Sequence, residues 1–547
     1  MAASNAHALG PEALCVLGLM AGDEAARHRD DPVPREAFAP RHDGPHGARR
    51  AGAPGLLGDG GVCGDRAARD RPHDLLDARL ELRARRDDPE ADRCLHASTL
   101  DFAAMRPSRL DWLLLATLVV PTWEKIRWET SAASLTITNL IATAFIIVFV
   151  ADRLARRDAQ VPSASIALIG FMFAFGAVYL AGYFDLRDHD ALTFWVKGIV
   201  TWSVHFAFLV CACAHVVRRG RPLFLRCVWA FVAGLIVNCV YGIFQLALQV
   251  GAGVNLDTLV VGPLTAGQGK QGGIGVFGQV AGQTTVYRIN ALTGDPNHLG
   301  VMLCVPIFVL LAWYLLDRRA RRWAAATLVL MLVVQTLTLS RSAALGDVVG
   351  LAVLLPGLRG HLPSTRRLAI GAGAVVGAAA VVYASSSFIQ TVISARTQLS
   401  GSGVLTHLQF YQLVPPALDP NPLFGMGFNT FAVFYQFLTG RTDYGPHSAW
   451  VATLVETGVV GFALYLAYFA WLVASALRVR LAADPDVSRI GWGIAAALAG
   501  TAAANFFYLT MTLEYFFVVA LLAVAGAALF APEPVPAPRV ASVGSAA

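Results

Sequence analysis

The chain has 547 residues, of which 56% are hydrophobic and 15% are charged, with a mean hydropathy of +0.54. Soluble globular domains carry about 25% charged residues, so this composition excludes an ordinary soluble enzyme. The net charge of +6 comes from arginine clusters between apolar runs, which indicates membrane topology and not nucleic-acid binding. We therefore expect an all-α polytopic membrane protein whose surroundings are the lipid bilayer, with no nucleic-acid partner.

Residues 1–104 differ in composition from the rest of the chain. They contain no Ile, Lys, Gln, Trp or Tyr and are rich in Ala, Arg, Asp, Gly and Pro. Such a segment cannot bury enough apolar surface to fold, so we expect a disordered extension or an incorrectly assigned start. A start at Met105 would put Arg106 and Arg109 directly before the first apolar run. We expect a chain that begins there to insert and function as well as the full chain.

About twelve apolar runs follow between residues 105 and 531. A helix of about 20 residues crosses the ~30 Å hydrocarbon core of a bilayer, so these runs predict about twelve transmembrane helices. We place them at 110–122, 134–150, 164–184, 194–215, 224–249, 298–316, 323–340, 342–357, 368–388, 448–475, 490–509 and 515–531. Residues 532–547 would form a cytoplasmic tail.

The arginine clusters fall on alternate connections between these runs. They comprise Arg106 and Arg109, then Arg153 to Arg157, Arg218 to Arg226, Arg318 to Arg322, Arg359 to Arg367, and Arg478 to Arg489. By the positive-inside rule these connections and both termini are cytoplasmic. The opposite face then carries two long loops, 250–297 and 389–447. The first is rich in Gly and Gln and is expected to be mobile, whereas the second contains probable amphipathic turns.

The first loop ends in the segment YRINALTGDPNH, which contains an arginine and a helix-start signal. Asp295 followed by Pro296 before an apolar run predicts an N-cap with proline at the first helical position. Arg288 has no such structural reason. From its residue type alone, a single arginine in an outer loop is most simply solvated.

Arg341 lies in VVQTLTLSRSAALGDVVG, with apolar residues on both sides. An ionisable residue at the edge of a membrane span is a functional candidate because its burial is costly. Snorkelling of the side chain to the lipid headgroups explains the position equally well. Asp347, six residues later, either pairs with this arginine or faces a polar cavity.

The segment 441–461, RTDYGPHSAWVATLVETGVVG, joins a turn-rich loop to an apolar run. Ser448 is a suitable N-cap for the helix that begins here. Gly458 and Gly461 form a pair of small residues that allows close helix packing. Glu456 lies about two turns into the span and needs a partner or a proton. His447, taken alone, is more simply an interfacial structural histidine than a catalytic one.

The eight cysteines show no metal-ligand spacing. Five of them lie in apolar runs, where they are most simply small hydrophobic residues: Cys211, Cys213, Cys227, Cys239 and Cys304. We therefore expect no metal site, no cofactor and no disulfide framework.

Taken together, four segments resemble those of the O-antigen ligase and Wzy-type O-antigen polymerase superfamily. His447-Ser448 followed after nine residues by Gly458-x-x-Gly461 is similar to the histidine signature of that superfamily. The segment DPNPLFGMGF at 419–428 stands before it at the expected place. Arg288 with GDPNH at 294–298, and Ser340-Arg341-Ser342, are similar to the two arginine-bearing segments of the family. In span count and loop layout the resemblance extends over about residues 105–530.

The resemblance implies a GT-C-type membrane glycosyltransferase that is inverting and independent of metals. Such enzymes move a glycan from an undecaprenyl-diphosphate carrier to an acceptor hydroxyl at the periplasmic face of the inner membrane, so the loops 250–297 and 389–447 would be periplasmic. His447 would be the catalytic base, and Arg288 and Arg341 would bind the donor diphosphate. The supporting residues would be Asp295, Asn297, Ser448, Glu456, Gly458 and Gly461.

Three functions remain in view. A ligase, with the lipid A core as acceptor, is expected slightly ahead of a Wzy-type polymerase of O-antigen or exopolysaccharide. A polysaccharide or lipid transporter or flippase is the alternative from another class, in which Glu456 and Arg341 would line the path. Against transport, no inverted internal repeat is visible in the sequence, and the candidate residues gather on one face and not at the membrane midplane.

Overall fold

The computed structural model describes residues 107–129, 134–157, 160–186, 188–265, 277–281, 284–316, 321–358, 384, 390, 411–439 and 447–530. Over these residues the chain is helical, with two short antiparallel hairpins. The predicted N-terminal extension, the C-terminal tail and almost all of the predicted span 368–388 lie outside the described residues.

The described helices are numbered in chain order. They are α1 (Arg109–Val119), α2 (Ile137–Ala155), α3 (Ser163–Tyr183), α4 (His189–Arg219), α5 (Arg221–Ala252), α6 (Leu256–Leu264), α7 (Pro296–Leu316), α8 (Arg321–Leu337), α9 (Arg341–Leu354), α10 (Val414–Leu418), α11 (Phe431–Thr439), α12 (Ala449–Val479), α13 (Pro485–Ala504) and α14 (Glu514–Phe530). One hairpin pairs β1 (Arg127–Glu129) with β2 (Ser134–Thr136), and the other pairs β3 (Phe277–Ala281) with β4 (Thr284–Arg288).

Among the described residues, six helices are long and apolar enough to cross a membrane. They are α2, α3, α4, α5, α7 and α12, and α8 and α14 are shorter apolar helices. This agrees with the predicted all-α polytopic membrane protein. The count of about twelve spans and the GT-C type stay predictions.

One end of the helix bundle gathers arginines from several helices. At the start of α1, the buried Asp111 carboxylate accepts hydrogen bonds from Arg219 Nη2 at 2.6 Å and pairs with His215 Nε2 at 2.7 Å, both from α4. Arg221, which begins α5, pairs with Asp484, the N-cap of α13. Successive helices reverse direction, so the connections α1–α2, α5–α7, α8–α9 and α13–α14 lie at the opposite end. We call that opposite end the outer end; its orientation in a membrane stays a prediction.

The connection between α5 and α7 contains ordered structure where it is described. Helix α6 is anchored by Asp257, whose side chain is fully buried and pairs with Lys125 Nζ at 2.6 Å. Strand β4 leads from the second hairpin to the start of α7. The predicted outer loop therefore contains regular secondary structure at residues 256–264 and 284–288.

Helix α12 is interrupted at Gly458, which has φ 64° and ψ −171°. The predicted span over 448–475 is present as Ala449–Val479, and it is kinked at Gly458. The interruption frees the carbonyl groups of Val455 and Glu456, which accept hydrogen bonds from the backbone N–H groups of Met426 at 3.0 Å and Gly427 at 3.1 Å. Within an apolar environment a broken helix persists only where its freed backbone groups find such partners.

The same segment also satisfies the N–H groups after the interruption. Val459 N–H donates to the Pro422 carbonyl at 2.9 Å, and Val460 N–H donates to the Leu423 carbonyl at 3.2 Å. Residues 422–427, which form a series of turns, therefore bond both halves of α12. Gly425 and Gly427 in this segment have positive φ angles of 72° and 108°.

Gly458 is the residue on which this arrangement depends. A Cβ atom at this position would lie 2.3 Å from the Leu423 carbonyl carbon, and its positive φ disfavours any side chain. We expect Gly458→Ala to lower the free energy of unfolding by at least the 1–3 kcal/mol typical of a strained backbone position, seen as a lower thermal midpoint of the detergent-purified full chain.

Gly170→Ala is the matched control, because nothing lies within 4 Å of a Cβ added there. An alanine in the middle of α3 should leave the thermal midpoint unchanged or raise it. Equal midpoints for the two variants would contradict the role assigned to Gly458.

Candidate functional site

Tyr508, in the connection between α13 and α14, lies at the centre of a polar cluster at the outer end. Its hydroxyl donates to Asp295, with both carboxylate oxygens at 3.2 Å, and accepts from the Asn297 side-chain amide. Burial raises the pKa of Tyr508, and the Asp295 charge raises it further. The tyrosine ring lies 5.2 Å from the His298 ring and 6.3 Å from the His447 ring. It thereby brings together two segments that are about 150 residues apart.

Arg288 ends strand β4 and is only 4% exposed. Its Nε donates to the Thr338 carbonyl at 2.8 Å, and its Nη2 donates to Asn297 Oδ1 at 2.7 Å. The expectation of a solvated side chain, from residue type alone, is therefore wrong. A buried guanidinium is costly unless it is hydrogen-bonded, and these acceptors connect it to α7 and to the end of α8.

The start of α7 has the predicted cap. Asp295 Oδ1 accepts from the backbone N–H groups of Asn297 at 2.6 Å and His298 at 3.2 Å, and the helix begins at Pro296. The N-cap prediction is confirmed. Asp295 thus binds two N–H groups of the helix start and the Tyr508 hydroxyl at once.

Arg341 is the first residue of α9 and is exposed. Ser340 caps this helix, its hydroxyl accepting from Ala343 N–H at 3.3 Å. A cation at a helix N-terminus opposes the helix dipole, so helix stability does not account for Arg341. The starts of α7 and α9 pack closely, since a Cβ at Gly300 would lie 3.0 Å from the Cβ of Ala343 in α9. Arg288 and Arg341 are therefore attached to adjoining helix ends.

Asp347, further along α9, is bound to side chains of two neighbouring helices. Its Oδ1 accepts from Gln335 Nε2 at 3.2 Å and lies 3.3 Å from Cys304 Sγ. Gln335 also donates to the Gly300 carbonyl at 3.0 Å. These contacts connect α7, α8 and α9 below Arg341.

The start of α12 is attached to the same connection that carries Tyr508. Ser448 caps the helix as predicted, its hydroxyl accepting from Val451 N–H at 3.3 Å. The Ala449 N–H is shared between the carbonyls of Tyr508 at 2.7 Å and Asn505 at 3.0 Å. His447, half-buried, precedes this cap and so lies beside the tyrosine.

Three helices, α7, α9 and α12, thus begin around one cluster, formed by Arg288, Asp295, Asn297, His298, His447 and Tyr508, which we call the outer-end cluster. The N–H groups at these helix starts are capped by Asp295, Ser340 and Ser448. Arg288 lies close to the start of α7, and Arg341 begins α9. The arrangement gathers a nearly buried guanidinium, two imidazole rings and a tyrosine hydroxyl at one end of the bundle.

Glu456 has a different location from the outer-end cluster. Its carboxylate accepts from Phe431 N–H at 3.2 Å and so caps helix α11, which begins after the DPNPLFGMGF segment. The partner that Glu456 was expected to need is therefore the N-terminus of α11. Gly461 packs closely, because a Cβ there would lie 2.9 Å from Val178 Cγ1 of α3. The prediction of small-residue packing holds for Gly461, whereas Gly458 serves to break the helix.

No role for the connection between α1 and β1 is predicted from the sequence alone. In the structure this connection contacts the outer-end cluster. Glu124 Oε2 lies 3.7 Å from His298 Nδ1, and Lys125 pairs with Asp257. Burial raises the pKa of Glu124, and the neighbouring His298 opposes this shift. Glu124 and Lys125 directly follow an apolar run. Ionisable residues at a membrane edge are costly to bury and are therefore functional candidates, so this position could have drawn attention to them.

Within the part of the chain that the structure describes, no three His, Cys, Asp or Glu side chains are grouped so as to hold a metal ion. The five cysteines described there are free thiols. All five lie in α4, α5 and α7, as expected for small hydrophobic residues.

The fold and the site define a class: a polytopic helical membrane protein with a polar cluster of arginine, histidine and tyrosine side chains at one end of the bundle. The family model of the O-antigen ligases matches residues 326–466, about a quarter of the chain. This segment contains Arg341, His447 and Glu456 and confirms the resemblance to the O-antigen ligase superfamily. Arg288 and the start of α7 precede the matched segment. No curated protein matches the chain.

The Tyr508 hydroxyl is the connecting group of the outer-end cluster. Tyr508→Phe would remove one hydrogen-bond partner each from the Asp295 carboxylate and the Asn297 side-chain amide, which costs about 1–3 kcal/mol in a buried site. We expect a lower thermal midpoint of the purified full chain.

Tyr468→Phe in α12 is the matched control, because this buried hydroxyl has no hydrogen-bond partner among the residues that the structure describes. Its removal should leave the midpoint unchanged or raise it. A Tyr508→Phe protein as stable as Tyr468→Phe would show that the hydroxyl does not hold the cluster.

Proposed function

We propose that the protein is a glycosyltransferase that moves a glycan from an undecaprenyl-diphosphate carrier to an acceptor hydroxyl. The transfer would take place at the periplasmic face of the inner membrane, with inversion at the anomeric carbon and without a metal ion. In the ligase reading the acceptor is the lipid A core. The O-antigen ligase domain supports this class of activity.

The observation that carries the proposal is the combination of Arg288, His447 and two helix starts in the outer-end cluster, with Arg341 on the adjoining helix α9. Arg288 is held by Thr338 and Asn297 in a nearly buried site, and Arg341 begins the adjoining helix α9. His447 lies beside Tyr508, at the start of α12. Fixed positive charge stabilises a diphosphate leaving group, and a base is needed to take the proton of the hydroxyl that receives the glycan.

In the proposed reaction, the acceptor oxygen attacks the anomeric carbon while the bond from that carbon to the diphosphate oxygen breaks. Negative charge then develops on the leaving diphosphate. Guanidinium groups offer a planar pair of donors that matches phosphate oxygens, and pre-positioned charge stabilises the transition state without reorganisation. Arg288 and Arg341 would fill this role, and the starts of α7, α9 and α12 would add partial positive charge.

The acceptor hydroxyl loses its proton as the new bond forms. His447 would take this proton, since a neutral imidazole accepts protons near neutral pH. The supporting residues have structural roles around it. Ser448 caps α12, Asp295 caps α7, Asn297 bonds Arg288, and Glu456 caps α11.

Arg288→Lys and Arg341→Lys test the diphosphate assignment. An ammonium keeps the charge but cannot reproduce the bidentate fork, so kcat/KM for the carrier-linked donor should fall by about tenfold or more in each. Arg153→Lys, at the arginine-rich end, is the charge-conserving control and should retain the parent rate. A kcat/KM equal to that of the parent in both Arg288→Lys and Arg341→Lys would show that a positive charge without the guanidinium geometry suffices at these positions.

His447→Ala tests the base. Turnover should fall by about 10²–10⁴-fold, the usual contribution of general-base catalysis, with donor binding retained. His298→Ala should lower turnover less. Turnover of the parent should also decrease as the pH falls and the imidazole becomes protonated, and this acid limb should be missing in His447→Ala. A parent-like rate in His447→Ala would make the histidine structural.

Ligase and polymerase are distinguished by the products of a deletion strain. Loss of the O-antigen ladder on lipid A while carrier-linked polymer still accumulates indicates a ligase, whereas single repeat units on lipid A indicate a polymerase. Movement of carrier-linked glycan across liposomes by the purified protein, without product formation, would favour the transporter or flippase alternative and contradict the proposal.

A further inference from the structure

The connection between α1 and β1 is bonded directly to the segment that follows Arg288. Lys125 N–H donates to the Leu292 carbonyl at 2.9 Å, and the Thr122 carbonyl accepts from Thr293 Oγ1 at 3.1 Å. Lys125 Nζ also donates to Asn290 Oδ1 at 3.1 Å. Residues 122–125 therefore fix three positions within residues 289–294, the segment that joins Arg288 to the start of α7.

Lys125 of this connection also forms an ion pair that is almost completely buried. Lys125 Nζ and Asp257 Oδ2 are 2.6 Å apart, and their side chains are 4% and 0% exposed. The Asp257 carboxylate accepts further hydrogen bonds from Gln245 Nε2 at 3.0 Å and from the Tyr241 hydroxyl, both on α5. The pair thus joins the α1–β1 connection, α5 and α6 at one point.

Two amides of α5 extend this network to the backbone of the segment. Gln245 Oε1 accepts from Ala291 N–H at 3.1 Å, and Asn238 Oδ1 accepts from Leu292 N–H at 2.9 Å. Ala291 has a positive φ of 46°, a conformation that costs energy for a residue with a side chain. The segment is therefore held in one strained conformation by side chains from outside it.

The charged form of Lys125 carries a desolvation cost at neutral pH. Burial lowers the pKa of Lys125 to about 8, and the attraction of Asp257 only partly opposes this shift. Because the pKa in the folded protein is below the ordinary lysine value of about 10.4, the protonated side chain lowers stability below pH 8. That cost is relieved as the pH rises from about 8 to about 10.4. Buried ion pairs of this kind are explained better by the geometry they impose.

We propose that Lys125 and Asp257 are positioning residues for the transfer reaction, which fix residues 289–294 and thereby the position of the Arg288 guanidinium. The inference rests on the proposed function. A shift of about 1 Å in a group that binds the reacting part of a substrate can cost about 10²-fold in rate. Weakening this pair should therefore affect turnover far more than folding.

The test compares the parent with Lys125→Gln/Asp257→Asn, which replaces both charges by amides and leaves no unpaired charge buried. We expect kcat to fall by about 10–100-fold, as for other residues that orient a catalytic group. The thermal midpoint should be close to that of the parent. Inorganic pyrophosphate, used as a probe of the diphosphate site, should bind about tenfold more weakly for the same reason.

Asp111→Asn is the matched control, because Asp111 is also a buried carboxylate with cationic partners but lies at the arginine-rich end. It should retain the parent kcat and pyrophosphate affinity at equal amounts of folded protein. If the double variant folds poorly, Asn290→Leu provides the second test. This change leaves the Lys125–Asp257 pair in place and removes the bonds from Lys125 Nζ to Asn290 Oδ1 and from Asn290 Nδ2 to the Gly294 carbonyl, so kcat should again fall.

The pH dependence of activity distinguishes a positioning role of Lys125 from a purely structural role. The groups that face the Lys125 ammonium are the Asp257 carboxylate of α6 and, through it, the Tyr241 hydroxyl of α5. Above about pH 8 the parent should lose activity as Lys125 loses its proton, while its thermal midpoint does not fall with it. The double variant should lack this alkaline limb.

A double variant with the kcat and alkaline limb of the parent would overturn the inference, as would a loss of kcat explained by an equal loss of folded protein. Failure of the proposed function is a distinct result. In that case the parent itself would neither transfer glycan nor bind pyrophosphate.

Discussion

The need to bond every polar group inside an apolar helix bundle organises this structure. Backbone groups and charges have no water to bond in such an environment, and an unsatisfied group costs several kcal/mol. Where α12 is broken at Gly458, residues 422–427 supply four hydrogen bonds to the freed backbone. Glu456 next to the break caps α11 and so fixes the segment on its other side. The break in α12 is stable because residues 422–427 bond the backbone groups that it leaves unpaired.

The same requirement explains the outer-end cluster. A guanidinium that is nearly buried needs acceptors, and Arg288 finds them on Thr338 and Asn297. Asn297 in turn bonds Tyr508, whose hydroxyl reaches the Asp295 cap of α7. Each polar group satisfies the next, so the starts of α7 and α12 and the end of α8 are connected through side chains. The donors and acceptors of the cluster are thus fixed by one another.

Much of this could be predicted from local sequence patterns. Apolar runs predicted where most described helices lie, and Asp295-Pro296 and Ser448 predicted two helix starts, because caps depend on near neighbours in the chain. The burial of Arg288 could not be predicted, since its acceptors come from residues 9 and 50 positions away. Tyr508 carries no motif, and its role arises only from packing. The break at Gly458 was missed because glycine in an apolar run is equally typical of close helix packing.

The central claim is that the outer-end cluster transfers a glycan from a diphosphate carrier. The most direct test is a reaction of the purified full chain in liposomes with a carrier-linked glycan and an acceptor, in which released carrier diphosphate and glycosylated acceptor are counted together. The account predicts one diphosphate released per glycan transferred, with an inverted anomeric configuration by NMR. Release of diphosphate without transfer, or transfer with retained configuration, would contradict it.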